Sequence, residues 1–194
     1  MPNWCSNSLT LRHTDPAMIV RAQRAFEASR LLDEFIPVPA DLTDTVSGSL
    51  GDADAQQALE ERQARNKIQY GYTTWYDFCI GEWGTKWDVG GGDIADQGPN
   101  HITFSFDSAW SPPTEAYSKL ISALDFEVDA MYYEPGIAFC GHYDNGDDNY
   151  YELEGMTAEE VRNDIPPELD ECFGISDSME EWEREESEEQ DEAG

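Results

Sequence analysis

The chain has 194 residues, with 42 Asp and Glu against 11 Lys and Arg, which gives a formal net charge of −31 and a pI of about 4.1. This charge argues against direct docking on nucleic acid or on an anionic membrane, because both need clustered Lys and Arg. No apolar stretch is long enough to cross a bilayer, so we expect a soluble protein with one core.

The first part of the chain predicts a strand, a helix and a helical insertion. Residues 7–11 alternate apolar and polar side chains, which is typical of a strand. Asp15 and Pro16 supply an N-cap and a first helical residue, and the apolar stripe continues to about Ser29. The prolines within 35–39 prevent a helix there. We expect an insertion at about residues 31–84, with helices at 54–68 and 74–80.

The middle of the chain predicts β-structure around one further helix. Strand patterns fall at residues 85–89, 101–107, 126–133, 136–143 and 150–153. Between the second and third of these, two prolines open a helix whose apolar stripe runs from Ala116 to Leu124. This order predicts an α+β fold, the ferredoxin-like split βαβ sandwich, with an antiparallel sheet and helices on one face. The term names the topology alone, since the cysteine spacings match no iron–sulfur cluster.

Acidic residues are concentrated towards the end of the chain. Residues 1–143 hold 21 acids and 9 bases (net −12), whereas residues 144–194 hold 21 acids and 2 bases (net −19). We therefore divide the chain into a ferredoxin-like domain, residues 1–155, and an acidic C-terminal extension, residues 156–194, that is helical or partly disordered.

Helix signals recur within the extension. Short helices are predicted after Thr157 and after Pro166. Ser178 and Glu181 have the spacing of a capping box, so we expect the last helix to begin there. Because like charges at i,i+4 repel each other, we expect this helix to fray past about Glu185.

Four stretches of the chain carry a family resemblance: MPNWCSN at 1–7, WGTKWD at 83–88, Phe106 to Pro113, and Tyr133 to Gly141. Through them, residues 1–150 resemble the YubB-type ferredoxin-like family, proteins of phages and conjugative plasmids with no established biochemical activity. The resemblance implies the sandwich fold, a mobile-element context and a cytoplasmic setting. It implies no catalytic residue. The opening residues also lack the basic and apolar segments of a secretory signal, which favours the same location.

The motifs bring together an aromatic set that consists of Trp4, Trp83, Lys86, Trp87 and Trp110. Such a set can form a platform with a cation over a ring, and on a sheet of this kind a platform can bind single-stranded RNA bases. The alternative is that the rings fill the interface between sheet and insertion while Lys86 pairs with Asp88 or Glu134. We favour the alternative, because no basic surface surrounds the rings to attract phosphates.

Two further patterns have simple structural explanations. The run that starts at Gly90 fits G-x-G-x-x-A, but no helix can follow it to hold a pyrophosphate, so we expect a flexible hairpin or bulge. The carboxylates between Asp144 and Glu152 could hold a hard cation, yet they lack the EF-hand order, so we expect a solvated turn. No cofactor and no metal is predicted.

Cys140, His142 and Asp144 are the residues that come nearest to a reactive cluster. Alternation along a strand places Cys140 and His142 on the same face, whereas a Cys–His dyad usually comes from two different elements. A small metal-binding or hydrolytic enzyme built on these three residues is therefore the alternative function. The four cysteines are expected to be reduced thiols.

The acidic run suggests the main function, a non-enzymatic protein that binds a basic partner. Carboxylates spaced along a helix can imitate the phosphate row of DNA, which fits a host DNA-binding protein or nuclease as partner and host-defence inhibition as role. Binding of a different basic protein is the open alternative. The competing explanation is that the acidity only solubilises the chain. The candidate partner-binding residues are Glu180, Glu181, Glu183, Glu185, Glu186, Glu188 and Glu189.

Overall fold

The computed structural model describes residues 2–46, 48 and 51–192, except for the side chains of residues 186 and 189–192. The strands are β1 (Trp4–Arg12), β2 (Asp93–Gln97), β3 (His101–Ala109), β4 (Glu127–Glu134), β5 (Phe139–Asp144) and β6 (Asp147–Glu152). The helices are α1 (Pro16–Glu27), α2 (Leu31–Phe35), α3 (Ala40–Thr43), α4 (Ala53–Tyr70), α5 (Trp75–Trp83), α6 (Thr114–Leu124), α7 (Ala158–Asp164), α8 (Pro167–Phe173) and α9 (Ile175–Glu192).

The six strands of the described residues form one open sheet in the order β2-β3-β1-β4-β5-β6, and every neighbouring pair is antiparallel. The fold is therefore α+β, as the sequence predicts. Within the described part of the chain, no helix is both long enough and apolar enough to cross a membrane.

One face of the sheet carries the main core. Leu9 and Leu11 of β1 are fully buried because alternate residues of a strand point to the same side. Leu9 pairs with Phe104 of β3 and Ala130 of β4, which extends the apolar layer across three strands. The helices α1 and α6 cover this layer with Ile19, Ala22, Phe26, Ala116, Tyr117 and Leu120.

The other face is partly covered by the C-terminal extension. Met131 and Tyr133 alternate with the core residues of β4, and they pack in a second cluster with Cys140 of β5. The extension contributes Met156, Val161, Ile165, Leu169, Phe173, Ile175 and Met179 to that cluster, and Ala138, Tyr151 and Leu153 complete it. The helices α1 and α6 therefore lie on one face of the sheet, as predicted. The helix α8 lies against β4 and β5 on the opposite face.

The insertion packs against the main core. Leu31, Leu42, Phe78 and Trp83 from α2, α3 and α5 are all buried in the same cluster as the sheet residues. The Asp88 carboxylate accepts hydrogen bonds from the backbone N–H groups of Leu32 (2.7 Å) and Asp33 (2.8 Å), which fixes the start of α2. The sequence left this placement open.

The strand predicted at residues 85–89 is wrong, because side-chain hydrogen bonds hold that segment in place of a strand ladder. The Thr85 hydroxyl donates to the Ala109 carbonyl and accepts from the Ala109 N–H, both at 3.1 Å. The Asp88 side chain is bound to α2. The strand that pairs with β3 is β2, which follows the glycine run.

The last helix begins earlier than predicted. It begins at Ile175, where the Asp170 carboxylate accepts from the Ser176 N–H (2.7 Å) and hydroxyl (2.6 Å) and so performs the capping expected of Ser178. Its backbone is helical to Glu192, and the fraying expected past about Glu185 stays a prediction. An early start gives α9 a buried anchor in Ile175 before the acidic run begins.

Candidate functional site

Trp83 lies apart from the other members of the predicted aromatic set. Its side chain is buried in the main core, and its Nε1 donates a hydrogen bond to the Ile36 carbonyl at 2.9 Å. It therefore fills the interface between sheet and insertion, which is the structural role that the sequence favoured for all of these rings.

The other three tryptophans form an exposed row. The ring centroids of Trp4 and Trp87 are 6.0 Å apart, and those of Trp87 and Trp110 are also 6.0 Å apart, with an interplanar angle of 29°. Trp4, Trp87 and Trp110 are 49%, 40% and 38% exposed. We call these three side chains the tryptophan row. For Trp87 and Trp110 the prediction that the rings fill the sheet–insertion interface is wrong.

Lys86 lies over the tryptophan row. Its Nζ is 4.7 Å from the ring centroid of Trp87, 5.3 Å from that of Trp110 and 5.7 Å from that of Tyr76. These distances are typical of cation–π contacts. Sequence reasoning missed Tyr76, which lies on α5 just before the second motif stretch and is not part of any motif.

Among the ion pairs of the described residues, none joins Lys86 to Asp88 or Glu134, so the predicted pairing is wrong. The Asp88 carboxylate accepts hydrogen bonds from backbone N–H groups of α2. The Glu134 carboxylate accepts from the backbone N–H groups of Gly136 (2.8 Å) and Ile137 (2.7 Å). Both carboxylates therefore accept hydrogen bonds from backbone N–H groups, and the Lys86 ammonium contacts the aromatic rings instead.

Short backbone contacts between separate segments hold the tryptophan row. Trp110 has a φ of 66°, an uncommon conformation for a bulky residue, and its N–H donates to the Asn3 carbonyl at 2.9 Å. The next residue, Ser111, donates through its hydroxyl to the Gly84 carbonyl at 2.6 Å. A methyl group on Gly136 would lie 2.5 Å from Asn3 Nδ2. Segments from all four motif stretches therefore meet at this place.

Two grooves adjoin the ends of the tryptophan row. Beyond Trp110, a groove of about 440 Å³ is lined by Ile80, Ile137, Tyr150, Glu115 and Asp148, among others. Beyond Trp4, a groove of about 620 Å³ reaches Cys172 and Phe173 of α8. The row therefore connects the insertion side of the molecule to the acidic extension.

Several of the predicted partner-binding carboxylates have partners inside the chain. Arg162 of α7 binds Asp177 and Glu180, and Arg184 lies 3.6 Å from Glu181. The Glu183 carboxylate accepts from the Ala158 N–H at 2.9 Å, at the start of α7. The contacts of Arg162 and Glu183 hold α9 against α7, whereas the pair of Arg184 and Glu181 lies within α9. Both arginines of residues 144–194 are therefore paired.

The remaining carboxylates of the acidic run face outwards where they are described. Glu185 and Glu188 are exposed. The side chains of Glu186 and Glu189 lie outside the described part of the structure. On a helix, residues 181, 185 and 188 fall on one face, about 6 and 4.5 Å apart along the axis. Glu181 on this face is paired with Arg184, whereas no ion pair of the described residues engages Glu185 or Glu188.

Cys140, His142 and Asp144 are not brought together as a reactive cluster. Cys140 is fully buried beneath the extension, and burial, with the charge of Asp170, raises the pKa of its thiol to about 12. His142 Nε2 lies 2.9 Å from Asp129 Oδ1 on the neighbouring strand. Asp144 is exposed at the end of β5. Among the described residues there is no group of three potential metal ligands, at these positions or elsewhere.

The glycine run is closely packed. A methyl group on Gly90 would lie 2.4 Å from Ser29 Cα, and one on Gly92 would lie 1.9 Å from the Ser105 carbonyl oxygen. The segment leads into β2 and no helix starts there, so it has none of the geometry of a pyrophosphate site. The bulge predicted for this region lies slightly later, between Ile94 and Asp96.

Comparisons with known proteins add little to this geometry. No protein-family model matches the chain, and a search of curated proteins finds no match. The crystal structure of the protein api92 from Yersinia pseudotuberculosis, of the family DUF1281, is similar to the chain with a TM-score of 0.43 and 16% sequence identity. The match covers 79% of this chain and 98% of that one. A likeness at this level carries no argument about function.

Proposed function

We propose that this chain is a non-enzymatic protein that binds a basic partner protein through its acidic C-terminal extension. The observation that carries the proposal is the outward face of α9, where Glu185 and Glu188 are exposed while both arginines of the extension are already paired. An excess of carboxylates beyond what the fold uses attracts a cationic surface and accelerates association.

The proposed partner is a host DNA-binding protein or nuclease, met in the cytoplasm of the host cell. A row of carboxylates on one helix face resembles the regularly spaced charges of a DNA strand, so it fits a cleft that neutralises phosphates. In this role the chain acts as a DNA mimic or an inhibitor of host defence.

The proposal includes a ferredoxin-like core and membership of the YubB-type family. Two observations support it. The strands β2-β3-β1-β4, with α1 and α6 on one face, have the order of a split βαβ sandwich, to which β5 and β6 add an edge. The motif stretches that carry the resemblance meet around the tryptophan row.

The test is capture of partner proteins from host lysate at two ionic strengths. The test variant replaces both exposed carboxylates, Glu185→Gln and Glu188→Gln. The matched control, Glu60→Gln with Glu61→Gln on α4, makes the same change of net charge on another helix. We expect the test variant to lose captured protein and the control to retain it, and we expect about 1 M salt to release the partner.

Retention of the same partner by the test variant, or binding that persists unchanged in high salt, would contradict the proposal. Either result would show that the charge of α9 does not carry the interaction.

A further inference from the structure

Exposed apolar side chains of this protein are gathered in one place. Ten large hydrophobic side chains are exposed among the described residues, and six of them form one continuous strip. We call this strip the apolar band. It consists of the tryptophan row together with Ile80, Ile137 and Tyr150, which line the groove beyond Trp110. Contiguous exposed apolar surface of this kind marks an interaction site more often than a monomer's free surface.

The backbone conformation that holds the apolar band is energetically unfavourable at one residue. Trp110 holds a positive φ that is unfavourable for its bulky side chain, and hydrogen bonds from Trp110 and Ser111 fix it there. Tryptophan is also the residue type most enriched among the energetic centres of protein interfaces. Core packing explains why Trp83 is a tryptophan, because its side chain is buried. It does not explain the exposed side chains of the apolar band.

Charge decides between the possible occupants. A second copy of the chain or a nucleic acid would bring more negative charge towards a molecule of net charge −31. The carboxylates of Glu115 and Asp148 line the groove, and an uncharged segment would leave them without a cationic partner. A cationic segment satisfies both the rings and the carboxylates.

Lys86 shows what kind of cation the rings accept. Its ammonium lies over Trp87 and Trp110, which leaves the half-exposed Trp4 at one end of the row and the carboxylate-lined groove at the other. Arginine fits these two places better than lysine, because its planar guanidinium stacks on an indole and pairs with a carboxylate through a fork of N–H donors.

We propose that the apolar band is a docking surface for an arginine-bearing segment of a basic partner protein. This inference rests on the proposed function, since it names the second surface that such a partner contacts. Arginine side chains of the segment stack on Trp4 and enter the groove beyond Trp110, while the acidic extension supplies attraction at longer range.

The test measures the affinity of the full chain for two labelled peptides, one of alternating arginine and serine and one of alternating lysine and serine, at about 50 mM salt. The variants are Trp87→Leu, at the centre of the row, Trp4→Leu, at its end, and the α9 glutamine variant, Glu185→Gln with Glu188→Gln. Ile68→Ala is the control, because Ile68 is 88% exposed on α4 and lies outside both the band and the acidic extension. Circular dichroism confirms that each variant is folded.

We expect tighter binding of the arginine peptide than of the lysine peptide. We also expect a loss of about tenfold or more in Trp4→Leu and in Trp87→Leu, but not in Ile68→Ala. Wild-type affinity in both row variants, with weakened binding in the α9 glutamine variant, would overturn this inference and leave the proposed function standing. Equal affinity for the two peptides would overturn the assignment to arginine. Binding of neither peptide would overturn both proposals.

Two further measurements test whether a nucleic acid or a second copy of the chain binds the apolar band instead. A uridine oligonucleotide is added under the same conditions, and we expect no binding. Sedimentation of the wild-type chain is expected to show a monomer. Oligonucleotide binding that Trp87→Leu abolishes, or a dimer that it dissociates, would overturn the inference in favour of a nucleic acid or of a second copy.

Discussion

The four cysteines differ sharply in accessibility. Cys5, Cys79 and Cys140 are buried, and desolvation is the main reason why the pKa of each thiol is raised to about 12. Cys172, on α8, is exposed. Since the thiolate is the reactive form, three of these groups are inert at neutral pH in the folded protein.

We predict that a thiol reagent at pH 7 modifies one cysteine of the native protein quickly and the other three only on unfolding. Cys172→Ser is expected to abolish the fast phase, and unfolding in guanidinium is expected to expose the full set. The measurement is the absorbance of the released reagent over time. Rapid modification of Cys140 in the folded chain would restore the enzymatic alternative that uses Cys140 and His142.

Sequence patterns identified the tryptophans as a group but could not separate them. Trp83 ends α5 and points into the core, whereas Trp87 lies four residues later in an irregular segment and reaches solvent. The difference depends on Asp88 and Thr85, whose bonds to α2 and β3 direct the chain between the two rings. These partners are distant in sequence, so periodicity contains no signal for them.

At the scale of elements, an ion pair joins α5 to α6. The Lys119 ammonium binds the Glu82 carboxylate and also donates to the Glu82 carbonyl at 3.0 Å, and the Tyr72 hydroxyl donates to the same carboxylate. Burial raises the pKa of the Glu82 carboxyl, but the bonds from Lys119 and Tyr72 outweigh it, so the pKa is lowered from its ordinary value of 4.5.

We predict that Lys119→Met lowers the free energy of unfolding at pH 7 by about 1 kcal/mol or less, because both side chains reach solvent. A carboxyl with a depressed pKa stabilises the fold above its unfolded pKa, and that contribution is lost as pH falls through the folded pKa. The difference between wild type and variant is therefore expected to shrink below about pH 4.5. Urea unfolding at several pH values measures it, and a difference that grows in acid would contradict the assignment.

Elements were predictable where local signals agree with packing. Asp15 is the N-cap of α1, as its sequence position predicts. The helices predicted at 74–80 and after Thr157 are also present, and Thr74 and Thr157 are their N-caps. The segment at 85–89 and the start of α9 were not predictable, because both depend on side chains from other elements. The same applies to α8, whose contact with β4 and β5 adds a layer that no local pattern predicts.

At the scale of the whole molecule, charge and apolar surface are arranged unequally. The extension, residues 156–194, holds 16 acids and 2 bases and so carries a net charge of −14. Its inner face nevertheless packs Leu169 and Ile175 against the sheet, which fixes the acidic helix to a folded body. The apolar band lies at the other side of the groove that joins Trp4 to Phe173. A partner that contacts both surfaces must therefore be cationic, with side chains that can also cover aromatic rings.

The net charge of −31 also predicts how stability responds to salt. Carboxylates outnumber cations by almost four to one, so repulsion between them opposes the compact state at neutral pH. Raising NaCl from about 20 to 300 mM shortens the screening length from roughly 20 Å to below 10 Å, and we expect Tm to rise by about 3–6 °C. Repeating the scan near the pI of about 4.1, where the net charge vanishes, is the control and should show little or no rise. A Tm that falls with salt at pH 7 would mean that the ion pairs of this protein outweigh its self-repulsion. A Tm that rises equally at both pH values would mean that salt acts through hydration rather than charge.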